Sequence, residues 1–169
     1  MVSIKEAAAE FLAHRRIAVT GVSRTPRGME AMWCTSAYAS GATRSFAVNL
    51  NADEVEGDTC YHDLKSIPGS VQAVVIGTRP ELAEETVREC ADLGIGHVWM
   101  HRSFGKGSVS GAATEYGRTH GITVIDGGCP LTFEPTADGP HKVMRFVFSL
   151  TGKVPRTCEA SVAPRPVLP

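Results

Sequence analysis

The stretch VTGVSRTPRG, Val19 to Gly28, sets a glycine, a serine and two arginines between an apolar run and a helix-like segment. Those residue types suit the binding of an anion. Gly21 allows a tight turn, Val22 and Ser23 continue it, and Ser23 adds a hydroxyl. Arg24 and Arg27 can each grip a phosphate through paired N–H groups. Gly28 would let a helix start close to the ligand, with its unpaired N–H groups facing the charge. The pattern is GxSxxPxG rather than the GxGxxG of dinucleotide sites. The competing reading is a tight loop whose arginines are merely solvated.

A second position tests the ligand. An NAD site places Asp or Glu ~20 residues beyond the glycines to hold the ribose 2′-hydroxyl. Here the next strand ends Val48-Asn49-Leu50-Asn51, with no acid at its tip. Asn49 can donate and accept without repelling a phosphorylated ribose, as in coenzyme A or NADP. It suits a turn equally well. Further along, Thr78, Arg79 and His101 follow apolar runs and fall at strand tips. Together with Ser23, Arg24 and Asn49 they are groups that bind an anion. Only His101 is suited to general-base work, and no partner acid is evident. No catalytic residue is assigned, and a binding module is favoured over an enzyme.

Other chemistries fit less well. A serine hydrolase elbow needs G-x-S-x-G, and position 25 is Thr. Asp126 and His141 follow in triad order, but the chain is short for that fold. His97 and His101 would share a metal only on a helix. The residues between them read as strand, which spaces the two by ~13 Å, so no metal site is expected. Cys129, in DGGCPL, is either a reactive thiol near the cleft or a buried small residue, the commoner fate. Cys34 carries the same two readings.

The elements that must position these groups follow from periodicity. Ser3 and Glu6 form a capping box for a helix reaching about His14. Ile17–Val22, Ser45–Leu50, Ala73–Gly77, His97–Met100 and Ile122–Ile125 read as strands. Helices are expected from Gly28 to Ser40, from Pro80 to Gly94 and over 109–120. Met29, Met32, Trp33, Ala37 and Ser40 form the buried stripe of the first. Residues 51–70 read as loop, with one turn at Tyr61–Ser66. This alternation predicts a single α/β domain of Rossmann type, with a mainly parallel five-stranded sheet and helices on both faces. The domain is expected to span 1–153. His141–Thr151 reads as a helix with an apolar face wide enough to suggest a homodimer. Residues 154–169, rich in proline, read as an extended or disordered tail.

Bulk properties bound the partners. The 169-residue chain is 43% hydrophobic and 21% charged, with a formal charge of -1. Nothing global points to nucleic acid or to an anionic membrane surface. No apolar run approaches the ~18 residues of a membrane span. Glu6 and Glu10 break the apolar stretch that a secretory signal would need. Five scattered cysteines without a CxxC argue against a disulfide framework and for the reducing cytoplasm.

Three stretches carry a family resemblance: AVTGVSRTPRG, FAVNLNADEVEGDTCYHDLKSIPGSVQAVVIGTRPE and LGIGHVWMHRSFG. Their order and spacing resemble the small bacterial coenzyme A-binding proteins. That family is similar to the cofactor-binding domain of the succinyl-coenzyme A synthetase alpha subunit. It commonly shows GxSxxP, V-N-P, G-x-x-C-Y-x-x-L, R-P, W-x-Q and a cysteine turn. The resemblance covers roughly residues 10–151. It implies a Rossmann-type fold that binds coenzyme A or an acyl derivative without catalysis. It implies Gly21, Ser23 and Arg24 along the phosphates, Asn49 near the adenosine, and Thr78 and Arg79 as the next wall. His101 stands where the family usually has glutamine, which adds a titration near neutral pH. Leu50 replaces the usual proline. The rival readings are an NADP-dependent oxidoreductase, with Arg24 and Arg27 on the 2′-phosphate, and an interaction protein with a vestigial cleft.

Overall fold

The computed structural model describes residues 2–22, 43–55, 57–102, 107–133, 154–155 and 157–158. The loop residues Ser23, Arg24 and Arg27, the expected helices at 28–40 and 141–151, Cys34, and most of the proline-rich segment lie outside them.

The chain begins with β1 (Val2–Ser3) and α1 (Ile4–Leu12). The capping box is present in full. Ser3 Oγ accepts from the Glu6 N–H, and the Glu6 carboxylate accepts from the Ser3 N–H at 2.8 Å. β2 (Arg16–Thr20) and β3 (Arg44–Val48) follow, then β4 (Glu54–Val55), β5 (Asp58–Tyr61) and β6 (Ala73–Ile76). The remainder is α2 (Pro80–Asp92), β7 (His97–Met100), α3 (Gly111–Thr119), β8 (Thr123–Asp126), a 3₁₀ turn at Pro130–Thr132, and β9 (Thr157–Cys158).

The main sheet runs β4-β5-β3-β2-β6-β7-β8. Every pairing in it is parallel except β4 with β5. The expected count of five strands is therefore corrected to seven. The two extra strands come from the segment read as loop. Gly57, at φ +87, turns β4 back into β5, and β5 adds to the edge of β3 through Ala47–Cys60 and Val48–Tyr61. Asp-Thr-Cys-Tyr is too short and polar to announce a strand. The open edge of β3 supplies its pairing groups, and tertiary context overrides local propensity.

Side chains alternate across the sheet, as a period of two demands. Ile17, Val19, Ala73, Val75, Trp99 and Ile125 form one core face with Ala7, Ala8 and Phe11 of α1. Ala18, Val74, Ile76, Val98, Met100 and Val124 form the other with Ala83, Val87 and Cys90 of α2 and Ala113 of α3. β6 is apolar throughout and buried on both faces, as the centre of a parallel sheet requires. Within 154–169, Thr157–Cys158 pairs antiparallel with Val2–Ser3. Val154 and Cys158 are buried against the α1 side.

Candidate functional site

Strand order decides where a ligand would sit. From β2 the chain goes to β3 on one side and later to β6 on the other. The gap between the tips of β2 and β6 is thus a topological switch point, where open α/β sheets bind ligands outside the strands' carboxyl ends.

Two glycines meet there. Gly21 has φ +76, and a Cβ on it would fall 2.5 Å from the Gly77 carbonyl carbon and 2.6 Å from the Thr78 nitrogen. A Cβ on Gly77 would fall 2.7 Å from the Thr20 carbonyl oxygen. The Gly77 N–H donates to that same oxygen at 3.0 Å. The two parallel neighbours approach here with no room for a side chain, so a ligand at this point would meet bare main chain. Sequence reading singled out Gly21. From sequence Gly77 reads as a strand end, and its place straight after a buried strand is the signal that marks it.

Asn49 ties the next loop to this close approach. Its Nδ2 donates to the Val22 carbonyl at 2.8 Å, and its Oδ1 accepts from the Asn51 N–H at 2.8 Å. Asn49 thus fixes the turn after β3 and holds the start of the phosphate-type loop against it. The Val22 side chain is buried in the core, so Val22 faces the edge through main chain only. Leu50, beside Asn49, is 75% exposed.

Buried polar groups without partners gather at the same edge. Thr20 is only 5% exposed, and its Oγ1 has no hydrogen-bond partner among the described residues. The Thr78 Oγ1 and the Arg102 Nε share that condition. These three sit at the tips of β2, β6 and β7. Such groups cost about 1–3 kcal/mol each when nothing satisfies them; a polar ligand at this edge would satisfy all three, whereas His14 Nε2 lies unpartnered at the opposite edge among the described residues. Thr20 and Arg102 were not singled out from sequence. A threonine ending a strand and an arginine opening a loop carry no distinctive pattern. Arg79 is exposed, one position before Pro80, which opens α2.

His101 follows β7 and donates its backbone N–H to Ile76 at 2.9 Å. Burial lowers its pKa to about 3. The titration near neutrality expected for this residue is therefore corrected. The imidazole is neutral at physiological pH, like the glutamine amide it replaces. Its folded pKa lies below its unfolded value of about 6.5. The unfolded chain thus takes the proton first, and stability present above pH 6.5 falls as pH drops toward 3. Urea-unfolding midpoints between pH 7 and pH 4 should show that decline, with a flatter slope in His101→Gln. An unchanged slope would mean that His101 is not buried as described.

The remaining candidates separate. Cys129 is 3% exposed, and burial pushes its thiol up to about 12; it packs rather than reacts. His97 and His101 lie at opposite ends of β7. The former faces Glu10 at 3.3 Å, and its ring lies tilted beside that of His14, with centroids 4.4 Å apart. Among the described residues no group of three His, Cys, Asp or Glu is placed to hold a metal. Asp126 pairs with Arg118 at 3.5 Å.

Comparison with known proteins bears directly on this edge. The CoA binding domain family matches residues 15–134. The chain belongs to that family. The match begins just before β2 and runs past the turn after β8, so it takes in the whole set of strand tips. The acetate–CoA ligase [ADP-forming] II subunit alpha of Pyrococcus furiosus is 29% identical over 127 residues, 70% of this chain and 27% of that protein. The acetate–CoA ligase [ADP-forming] II of Archaeoglobus fulgidus is 29% identical over 119 residues, 66% of this chain and 18% of that protein. The chain thus spans roughly a quarter or less of these curated relatives. Both are archaeal, whereas the sequence resemblance pointed to bacterial proteins. In fold, the chain is similar to a PH1109 protein redesigned for binding, with a TM-score of 0.67 at 21% identity, covering 88% of this chain and 92% of that one. Among the described residues no helix is long and apolar enough to cross a membrane.

Proposed function

We propose that this CoA-binding domain holds coenzyme A or an acyl-CoA along the carboxyl edge of its sheet and performs no chemistry of its own. The observation that carries the reading is the close approach of Gly21 and Gly77 at the switch point. There a pyrophosphate would meet bare main chain beside the hydroxyls of Thr20 and Thr78, unpartnered among the described residues. Ser23, Arg24 and Arg27 supply further hydrogen bonds and positive charge. The adenosine lies toward Asn49 and β3, and the pantetheine arm leads over β6 toward β7 and β8. Arg79 and His101 line its path, with His101 acting as a neutral hydrogen-bonding group.

The absence of a catalytic role in the reading rests on the groups at the edge. Among the described residues the one carboxylate at the tip of β8, Asp126, is engaged by Arg118, and His101 is a weak base. None of the described cysteines forms a disulfide, which supports a reducing, cytoplasmic setting.

Calorimetric titration with coenzyme A, acetyl-CoA, NAD and NADP tests the proposal. Micromolar binding is expected for the two CoA compounds. Arg24→Ala should weaken it about tenfold, the effect of losing one charge-assisted contact. Binding of NADP in place of coenzyme A would overturn the reading in favour of an oxidoreductase. Binding of none of the four would leave the edge without a nucleotide ligand.

A further inference from the structure

Arg102 stands apart from the other arginines of the core region. Arg16 donates to the carbonyls of Pro68 and Ser70 and covers the Phe46 ring. Arg88 pairs with Glu84 and covers Tyr116. Arg118 pairs with Asp126. The Arg102 guanidinium takes part in none of the ion pairs among the described residues. Its Nε is buried without a hydrogen-bond partner among the described residues.

The stem of Arg102 is clamped. Its backbone N–H donates to the Gly128 carbonyl at 2.9 Å, and the Ser108 N–H donates to the adjacent His101 carbonyl at 2.7 Å. Gly107, at φ +64, folds back so closely that a Cβ on it would fall 2.8 Å from the Arg102 Cα. The backbone is therefore held at a fixed point on the edge. Asp126, on the neighbouring strand, is already engaged by Arg118. Arg102 is half-buried, its Nε is enclosed and its backbone is fixed, so with no ion pair among the described residues it is placed to meet an anion that arrives with a ligand.

Which anion follows from position, given the CoA reading above, on which this inference rests. β7 lies two strands from β2, or ~10 Å from the far side of the glycine pair. The phosphates of coenzyme A all belong to its nucleotide half, which that reading sets at β2 and β3. The part of the ligand that extends to β7 is the pantetheine arm, whose amides are neutral, and then the thiol or acyl group. We propose that Arg102 is a specificity determinant that pairs with a carboxylate at the far end of the acyl group. The ligand class would then be an acyl-CoA formed from a dicarboxylic acid.

Titration of the full chain with coenzyme A, butyryl-CoA and succinyl-CoA tests this, because the two acyl chains are equal in length and differ in the terminal charge. Wild type should bind succinyl-CoA at least about tenfold more tightly than butyryl-CoA, as expected for a charge-assisted pair away from bulk water. Arg102→Gln should erase that gap and leave coenzyme A itself within about twofold. Arg102→Lys should keep part of the gap, because a point charge replaces the paired fork. Equal affinities of wild type for the two acyl compounds would overturn the proposal without need of any variant. So would an Arg102→Gln loss shared equally by coenzyme A, which would assign Arg102 to the common part of the ligand. Failure of wild type to bind coenzyme A at all would instead remove the CoA reading, and this assignment with it.

Discussion

Gly21→Ala should lower stability by about 3 kcal/mol, adding ~1–2 kcal/mol for a left-handed alanine to ~1–3 kcal/mol for forced overpacking. Nucleotide binding should be lost with it. Both contributions are visible at the site. The residue sits at φ +76, and the new methyl would press on the Gly77 carbonyl carbon and the Thr78 nitrogen at 2.5 and 2.6 Å. Those are main-chain atoms just past the end of β6, where the Gly77 N–H is held by the Thr20 carbonyl, and they cannot step aside like the end of a flexible side chain. Gly94 provides the control. It has a similar φ of +69 but open space around it, so Gly94→Ala isolates the conformational cost, about 1 kcal/mol. Urea-unfolding midpoints of the two variants separate the effects. If Gly21→Ala is no more destabilising than Gly94→Ala, the close approach of β2 and β6 is wrong.

Trp99→Ala should cost about 3–5 kcal/mol, the range for deleting a large buried aromatic side chain. Trp99 is completely buried at the middle of the α1-side core. Phe11 and Phe133 meet its ring edge to face, each with centroids 5.4 Å away. It therefore joins three parts of the chain distant in sequence: α1, β7 and the turn after β8. Its Nε1–H donates to the Gly127 carbonyl at 2.8 Å, in a buried setting. Trp99→Phe keeps much of the packing but leaves that carbonyl unsatisfied, for about 1–3 kcal/mol. Because Gly127 and Gly128 lead into the turn that anchors Arg102, Trp99→Phe should also disturb that end of the edge. A loss below 1 kcal/mol for Trp99→Ala would contradict the packing described.

Much of this architecture is legible in the residues themselves. The continuous run Ala73–Ile76 announces a strand buried on both faces, and Pro80 announces the start of α2. His97–Met100 is bounded by turn residues on one side and polar groups on the other, and the strand lies where that pattern puts it. What local pattern does not carry is pairing at a sheet edge. Asp58–Tyr61 becomes a strand only because β3 leaves main-chain groups to be paired.

The site divides along the same line. The proposed anion-binding role of Gly21, Asn49 and Thr78 is read from residue type and from position after apolar runs. The hydroxyl of Thr20, unpartnered among the described residues, the second glycine at the β2–β6 approach and the fixed placement of Arg102 depend on neighbours far away in sequence. The state of His101 is the plainest case. An imidazole beside a cleft reads as a switch near neutral pH, but enclosure at the tip of β7 makes its charged form too costly.

Coenzyme A is proposed to occupy the carboxyl edge of the sheet where the ends of β2 and β6 approach. Backbone amide chemical shifts, followed by NMR as coenzyme A is added to saturation, test it most directly. The account predicts that the large shifts fall on Gly21, Val22, Asn49, Thr78 and His101. His14, Gln72 and His97, at the opposite edge, should stay in place. Saturating coenzyme A that leaves the first group unmoved, or that moves the second group instead, would contradict it.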